Sequence, residues 1–297
     1  MTSANVSSNF LVAGLFVSIV FILFPSVSVT VQIISLGIAV SLFGLPHGAI
    51  DAYIARQHGL WRSPSGLAAF TCAYLFMALL VIGFWVALPV VSLLIFLIIS
   101  AWHFGTDANA QNFAERWLFG SLVLCLPAVF HAVDVANLYE TLSGPSARKI
   151  APITQVWGPI AAIILVSMIS IRLSHRPQRR KDIVTILGLM AFAWLLPPLI
   201  YFAIYFCALH SPTHFGRVLK MIPGVDRRRA VLQTTVFTVL TLILAGLALS
   251  VLPDELTLEQ TLIQMIFIGL AALTVPHMVL IDGVCGSKLD KHLWSTS

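Results

Sequence analysis

Apolar residues in this chain fall in long continuous runs, not in the alternation of a strand or the narrow stripe of a soluble helix. A membrane-spanning helix needs about 20 such residues. Ten segments reach or approach that length: Phe10–Phe24, Val31–Ile54, Leu67–Leu88, Val90–Phe104, Trp117–Val133, Ile153–Leu173, Ile183–Leu196, Leu199–Leu219, Ala230–Leu252 and Thr261–Ile281. The first and seventh are short. The Pro197-Pro198 junction reads either as a loop or as a break within a re-entrant element, because proline removes a backbone donor. Backbone in lipid must satisfy its own hydrogen bonds. The pattern therefore predicts an all-α, polytopic transmembrane helix bundle of eight to ten membrane helices. No polar stretch is long enough for a second domain, so residues 1–297 read as a single integral-membrane domain.

Composition agrees with that pattern. Hydrophobic residues make up 59% of the 297, charged residues only 10%, and the mean hydropathy is +0.95. A soluble domain carries about a quarter charged residues. The net charge of +5 raises nucleic acid as a partner, but the basic residues sit in short clusters between apolar runs. Arg56, Arg62, Arg116, Arg172, Arg176, Arg179, Arg180, Lys181, Arg217, Lys220, Arg227, Arg228, Arg229, Lys288 and Lys291 fall on one set of alternate loops. Arg148 and Lys149 lie on the other set, with Asp254, Glu255 and Glu259. The positive-inside rule makes the first set cytoplasmic. It predicts a multi-pass protein of the inner (plasma) membrane with both termini in the cytoplasm, the bilayer as its partner and no nucleic acid. The N-terminal residues carry no basic stretch before the first apolar run, which argues against a cleaved signal peptide. Cys72, Cys125, Cys207 and Cys285 are widely spaced and read as small core residues, not as a disulfide framework.

Five of the nine histidines carry the chemistry. His47, His103, His210, His214 and His277 lie near the ends of the second, fourth, eighth and tenth segments. In the topology above these helices all run the same way, so the five share one depth near the cytoplasmic side. Polar groups at such depth are costly to leave unpaired and usually face a bundle interior. His210 and His214 stand four apart, on one helix face, with Pro212 between them. Asp51 and Asp107 each follow a histidine by four residues, a spacing that lets a carboxylate accept the second ring N–H of a ligand histidine or of one on a neighbouring helix. The competing reading pairs them with Arg56 and Arg116. His58, His131, His175 and His292 read as solvated, and Glu115 as a solvated loop charge. Leu45-Pro46-His47 through Asp51 is faintly echoed by Val275-Pro276-His277 through Asp282.

Neutral imidazoles without thiolates suit Fe, Zn, Cu or Ni, and the sequence alone does not separate these. A desaturase-like membrane oxygenase would carry more histidines, including an HxxHH group that is absent. A haem protein needs fewer. A transporter or metal permease places its polar residues nearer mid-membrane. A retinal-binding rhodopsin is disfavoured because no lysine falls in an apolar segment.

Gly44-Leu45-Pro46-His47-Gly48-Ala49-Ile50-Asp51, Trp102-His103-Phe104-Gly105-Thr106-Asp107, His210-Ser211-Pro212-Thr213-His214 and Pro276-His277 resemble the Brp/Blh family, in order and separation, across nearly the whole chain. These are bacterial and archaeal membrane-bound β-carotene 15,15'-dioxygenases. The resemblance implies Fe(2+)-dependent cleavage of the central double bond of β-carotene by O2 to give two all-trans-retinal, with a retinal-binding rhodopsin as recipient of the product. It places the iron ligands on His47, His103, His210 and His214. For His277 it leaves open a fifth ligand, a supporting partner alongside Asp51 and Asp107, or a substrate contact. A tunnel for the polyene is expected from Trp102, Phe104, Tyr201, Phe202, Tyr205, Phe206 and Phe215.

Overall fold

The computed structural model describes residues 3–108, 110–173, 180–222, 226–250 and 256–284. His175, His292, Cys285 and the loop charges Arg176, Arg179, Asp254, Glu255, Lys288 and Lys291 lie outside the described residues.

All ten apolar segments are helical. The first is α1 (Ser3–Leu23). The second is one continuous rod: α2 (Val29–Ala39), a π-helical segment (Val40–Gly44), α3 (Leu45–Ala49) and α4 (Asp51–Gln57). Then come α5 (Pro64–Ala87), α6 (Pro89–Phe104) and α7 (Phe113–Phe130). The sixth and seventh segments are α9 (Ala151–Leu173) and α10 (Arg180–Leu195), with α8 (Ala132–Ser143) ahead of them. The eighth is α11 (Pro198–Ile204), a π-helical segment (Tyr205–His210) and α12 (Ser211–Met221). The last two are α13 (Arg227–Leu249) and α14 (Leu258–Met278), the latter running into a third π-helical segment (Val279–Val284).

Among the described residues, eight helices are long and apolar enough to cross a membrane, and there is no strand. The chain is an all-α polytopic bundle. α1, read as short, is a full 21-residue helix, whereas α10 stays at 16 residues. Leu196 and Pro197 are the whole junction between α10 and α11. Aliphatic side chains stand exposed along α1, α5, α9 and α13, including Leu15, Leu79, Ile163 and Leu240. That is the surface a bilayer solvates.

Small residues let the helices close up, as is usual where lipid provides no hydrophobic drive between them. A Cβ on Gly120 of α7 would lie 1.7 Å from the carbonyl oxygen of Ala101 on α6, and one on Gly105 would lie 2.1 Å from that of Arg116. Gly14 of α1 is likewise covered by the Phe192 ring of α10. Buried polar anchors cross between helices: the Trp85 indole donates to Leu142 O at 2.9 Å and the Tyr201 hydroxyl to Val123 O at 3.1 Å.

Two readings need correction. Glu115 is buried at 1% exposure, not solvated. The Asn112 side chain caps α7 by accepting from Glu115 N, which starts the helix earlier than the apolar run suggests. Glu115 thus falls in the first turn, where the helix dipole favours a carboxylate, and accepts from Gln111 N. Of the cysteines, Cys125 is buried and Cys207 half-buried, but Cys72 is exposed on the outer side of α5.

Candidate metal centre

Three helical rods each carry a histidine followed by an aspartate: His47 and Asp51, His103 and Asp107, His277 and Asp282. The first two spacings are four residues. The third is five, within the stretch that continues as the π-helical Val279–Val284, where the wider turn brings position i+5 to about the place of i+4. Each aspartate then reaches the histidine of another rod. His277 Nδ1 lies 2.9 Å from both oxygens of Asp51. His210 Nδ1 lies 2.8 Å from Asp107 Oδ2. His103 Nδ1 lies 4.0 Å from Asp282 Oδ2, an ion-pair distance. On the fourth rod the residue four beyond His210 is His214, and it returns to His47 with ring centroids 4.2 Å apart. The rods form a closed pinwheel, each handing a side chain to the next.

At its centre the five imidazoles converge. Their exposures run from 1% for His210 to 9% for His214. His47 is the hub, with its ring 4.9 Å from His210, 4.8 Å from His277 and 6.2 Å from His103. Two triads share it: ring nitrogens of His47, His214 and His277, and of His47, His103 and His210, lie within 4.8 Å of one another. Rings this close leave no room for a porphyrin between them.

Local backbone explains the convergence. Each of the three π-helical segments ends on a histidine of the centre, as Tyr205–His210 does, or lies within three residues of one. Pro46, Pro212 and Pro276 sit next to or near the same histidines and remove backbone donors there. One extra residue per π turn resets which face of a rod looks inward, and such bulges concentrate at functional sites.

A second layer holds the first. The Tyr74 hydroxyl donates to Asp51 Oδ2 at 3.0 Å, with Leu273 O at 3.1 Å as the alternative acceptor for its one proton. The Tyr205 hydroxyl donates to Asp107 Oδ2 at 2.7 Å. The Arg116 guanidinium lies 3.5 Å from Asp282 and over the Trp102 ring at 3.6 Å. Arg217 donates to Thr106 O at 2.6 Å, and the Thr106 hydroxyl to His103 O. The Ser211 hydroxyl donates to Phe43 O, tying the eighth segment to the second.

This donor set fits a metal ion. His210 and His277 each spend Nδ1 on a carboxylate and leave Nε2 buried without a partner. His214 Nε2, His47 Nδ1 and His103 Nδ1 are also buried without a hydrogen bond. Unpaired buried polar atoms cost about 1–3 kcal/mol each, and the two triads of ring nitrogens that share His47 are compatible with a common acceptor of lone pairs. Asp51 and Asp107, 2% and 1% exposed, are carboxylates inside a low-dielectric bundle. A dication among neutral imidazoles would offset their charge, and carboxylate-held histidines are the usual support for metal ligands.

Beside the rings lies an apolar cavity of about 120 Å³. Phe104, Phe202 and Phe206, expected along the polyene path, line it together with His47, His103, His210 and His277. Trp102, Tyr201, Tyr205 and Phe215 have other places. Trp102 stacks on Arg116 and packs against Trp117. The two tyrosines turn their hydroxyls to Val123 and Asp107. Phe215 joins a separate cluster around Tyr53 and Trp61. His58 and His131 are half-buried, His58 with Nδ1 3.2 Å from Ile54 O. Tyr74 escapes a reading from sequence, since a lone tyrosine in an apolar run carries no signal, and Arg116, which the competing reading set against Asp51 or Asp107, lies against Asp282. Asp282 had a signal, in the Pro-His echo.

Fold and site together define a class: a polytopic helix bundle with a buried histidine cluster compatible with a metal. The chain belongs to the beta-carotene 15,15'-dioxygenase family, whose sequence profile matches residues 38–284 and so spans all five histidines. It is similar to a beta-carotene 15,15'-dioxygenase of an uncultured marine bacterium (66A03), 32% identical over 254 residues, covering 82% of this chain and 90% of the relative. It is also similar to the probable beta-carotene 15,15'-dioxygenase Blh of Halobacterium salinarum, 23% identical over 294 residues, covering 86% and 85% respectively. No solved structure matches the chain.

Proposed function

We propose that this protein is a membrane-embedded, iron-dependent dioxygenase that cleaves the central C15=C15' bond of β-carotene. One O2 is consumed, the carbon–carbon double bond and the O–O bond are broken, and two all-trans-retinal are formed, one oxygen in each aldehyde. The observation that carries this reading is the convergence of five buried imidazoles, each with an unpartnered ring nitrogen, four of which (His47, His103, His210 and His277) line an apolar cavity. The named relatives supply the substrate. When bound, Fe(2+) would supply the chemistry that binds and activates O2.

The chain's own residues do the rest. Asp51 and Asp107 hold His277 and His210 in the tautomer whose Nε2 lone pair points inward. On this geometry His277 is equivalent to His210, so the ligand set is His47, His103, His210, His214 and His277. Phe104, Phe202 and Phe206 form a dry wall against which a polyene can lie, which shields reactive species from water. No protein acid or nucleophile is needed.

We infer in addition that both termini face the cytoplasm of an inner membrane, on the strength of the basic loops. Reporter fusions at either end are expected to be active only on the cytoplasmic side.

The test is expression in a bacterium that accumulates β-carotene. Bleaching of the cells, retinal on chromatography and about one iron per chain are expected. Orange cells with abundant protein and no retinal would remove the substrate assignment.

A further inference from the structure

We propose that the cavity opens sideways into the bilayer between α5 and α13, and that Gly48 is its threshold, admitting the hydrocarbon guest from lipid. This deepens the function proposed above and rests on it for the identity of the guest.

Size makes the case first. A cavity of about 150 Å³ holds a benzene, so the 120 Å³ here encloses a ring-sized stretch of a guest. A polyene about as long as the hydrocarbon core of a bilayer must therefore leave the chamber in both directions. Its arms need an apolar route out.

Burial locates that route. On the α6, α11–α12 and α14 side the wall has half-buried residues (Phe96, Phe202, Leu273 and Thr274) but no exposed one, and Ser100, His210 and His277 close it at 1–2% exposure. On the opposite side the lining comes from Thr71 and Leu75 of α5 and Phe237 and Thr241 of α13. Leu75 is 42% exposed, and the other three are half-buried. These are the two least buried of the candidate spans, at 6% and 17%. α5 packs chiefly on α14 and α6, and α13 on α3 and α4, so the cavity lies between two separately anchored helices. The opening faces lipid on both flanks, which suits a hydrocarbon and excludes a polar ligand.

Gly48 stands at the foot of this gap, between His47 and Ala49 of α3, and lines the cavity. A Cβ built there meets nothing within 4 Å. Packing alone leaves that position free for a side chain, and any side chain would grow into the route. Gly44, one turn earlier, differs: its Cβ would strike the Phe206 ring.

The experiment compares wild type, Gly48→Leu, Leu75→Trp at the mouth, and Leu187→Trp on the lipid face of α10 as a control of equal bulk. Bound β-carotene is read anaerobically from its visible absorption in the purified protein, alongside metal content. Wild type and Leu187→Trp are expected to retain carotenoid. Gly48→Leu and Leu75→Trp are expected to retain metal but lose carotenoid, with roughly a tenfold to hundredfold fall in kcat/KM, the scale of a pocket filled by a few methylenes. Leu75→Trp keeps the test alive if Gly48→Leu does not fold. Equal retention in all four proteins overturns the portal. Admitting air to the same samples tests the reaction separately: a wild type that binds carotenoid, with both blocked variants empty, yet forms no retinal would overturn the chemistry and leave the portal standing.

Discussion

At the scale of single residues, the two overlapping triads give His47 a weight the other four do not share. Removing it dismantles both groups, whereas removing His103 or His214 leaves the other triad intact. His47→Ala is therefore expected to abolish metal binding. His103→Ala and His214→Ala are expected to keep a metal with weakened affinity, which titration with cobalt(II) would follow. Equal loss across all three would contradict the shared hub. The supporting layer makes its own prediction. Asp51→Asn and Tyr74→Phe leave the ligands in place but loosen His277, and a loss of about 10–100-fold in metal affinity is expected of such partners. Cobalt affinities unchanged in both variants would show the Asp51 contacts to be structural only. From the sequence, the histidines were legible because apolar segments put them at one depth. Their aspartates were legible as neighbours, but not which histidine each would hold. A spacing of four suggests a partner on the same helix face, and only the packing of rods shows that Asp51 serves His277 and Asp107 serves His210.

At the scale of elements, the ten apolar runs became helices because a single continuous apolar segment can satisfy its own backbone in lipid only as a helix. α8 is missing from those runs. Asp134, Asn137 and Glu140 break its hydropathy, and it forms as an amphipathic helix that buries Val135, Ala136, Tyr139 and Leu142. The π-helical segments were equally invisible, since one surplus residue leaves hydropathy unchanged. They predict the effect of a change in length. Removing Ser41 would let Val40–Gly44 close into ordinary α-helix, where i+4 takes the place that i+5 had, so α2 and α3 would keep their faces. Adding an alanine within α2, which has no such slack, would turn α2 against α3 by about 100°, one residue's worth of rotation. Both variants are expected to insert into the membrane, the deletion keeping its metal and the insertion losing it, read as membrane-fraction yield and cobalt binding. Equal occupancy in the two would mean that the surplus residue does not set the register.

At the scale of the whole molecule, five rings and three carboxylates from four rods gather at one site, so an ion bound there would fasten rods distant in sequence. Stripping the metal with a chelator is expected to lower the melting temperature in detergent. Restoring it at a hundredfold excess over Kd contributes about 2.7 kcal/mol. A melt indifferent to metal would argue that the rods hold together without it. The small chamber has a different consequence. For the long polyene proposed above, room for one ring's worth of atoms would mean that the protein inspects the midpoint and is blind to the tips. Carotenoids that share a central polyene but carry different terminal rings are then expected to compete on near-equal terms, with similar inhibition constants. A strong preference for one terminus would mean that the ends are being gripped somewhere beyond the chamber.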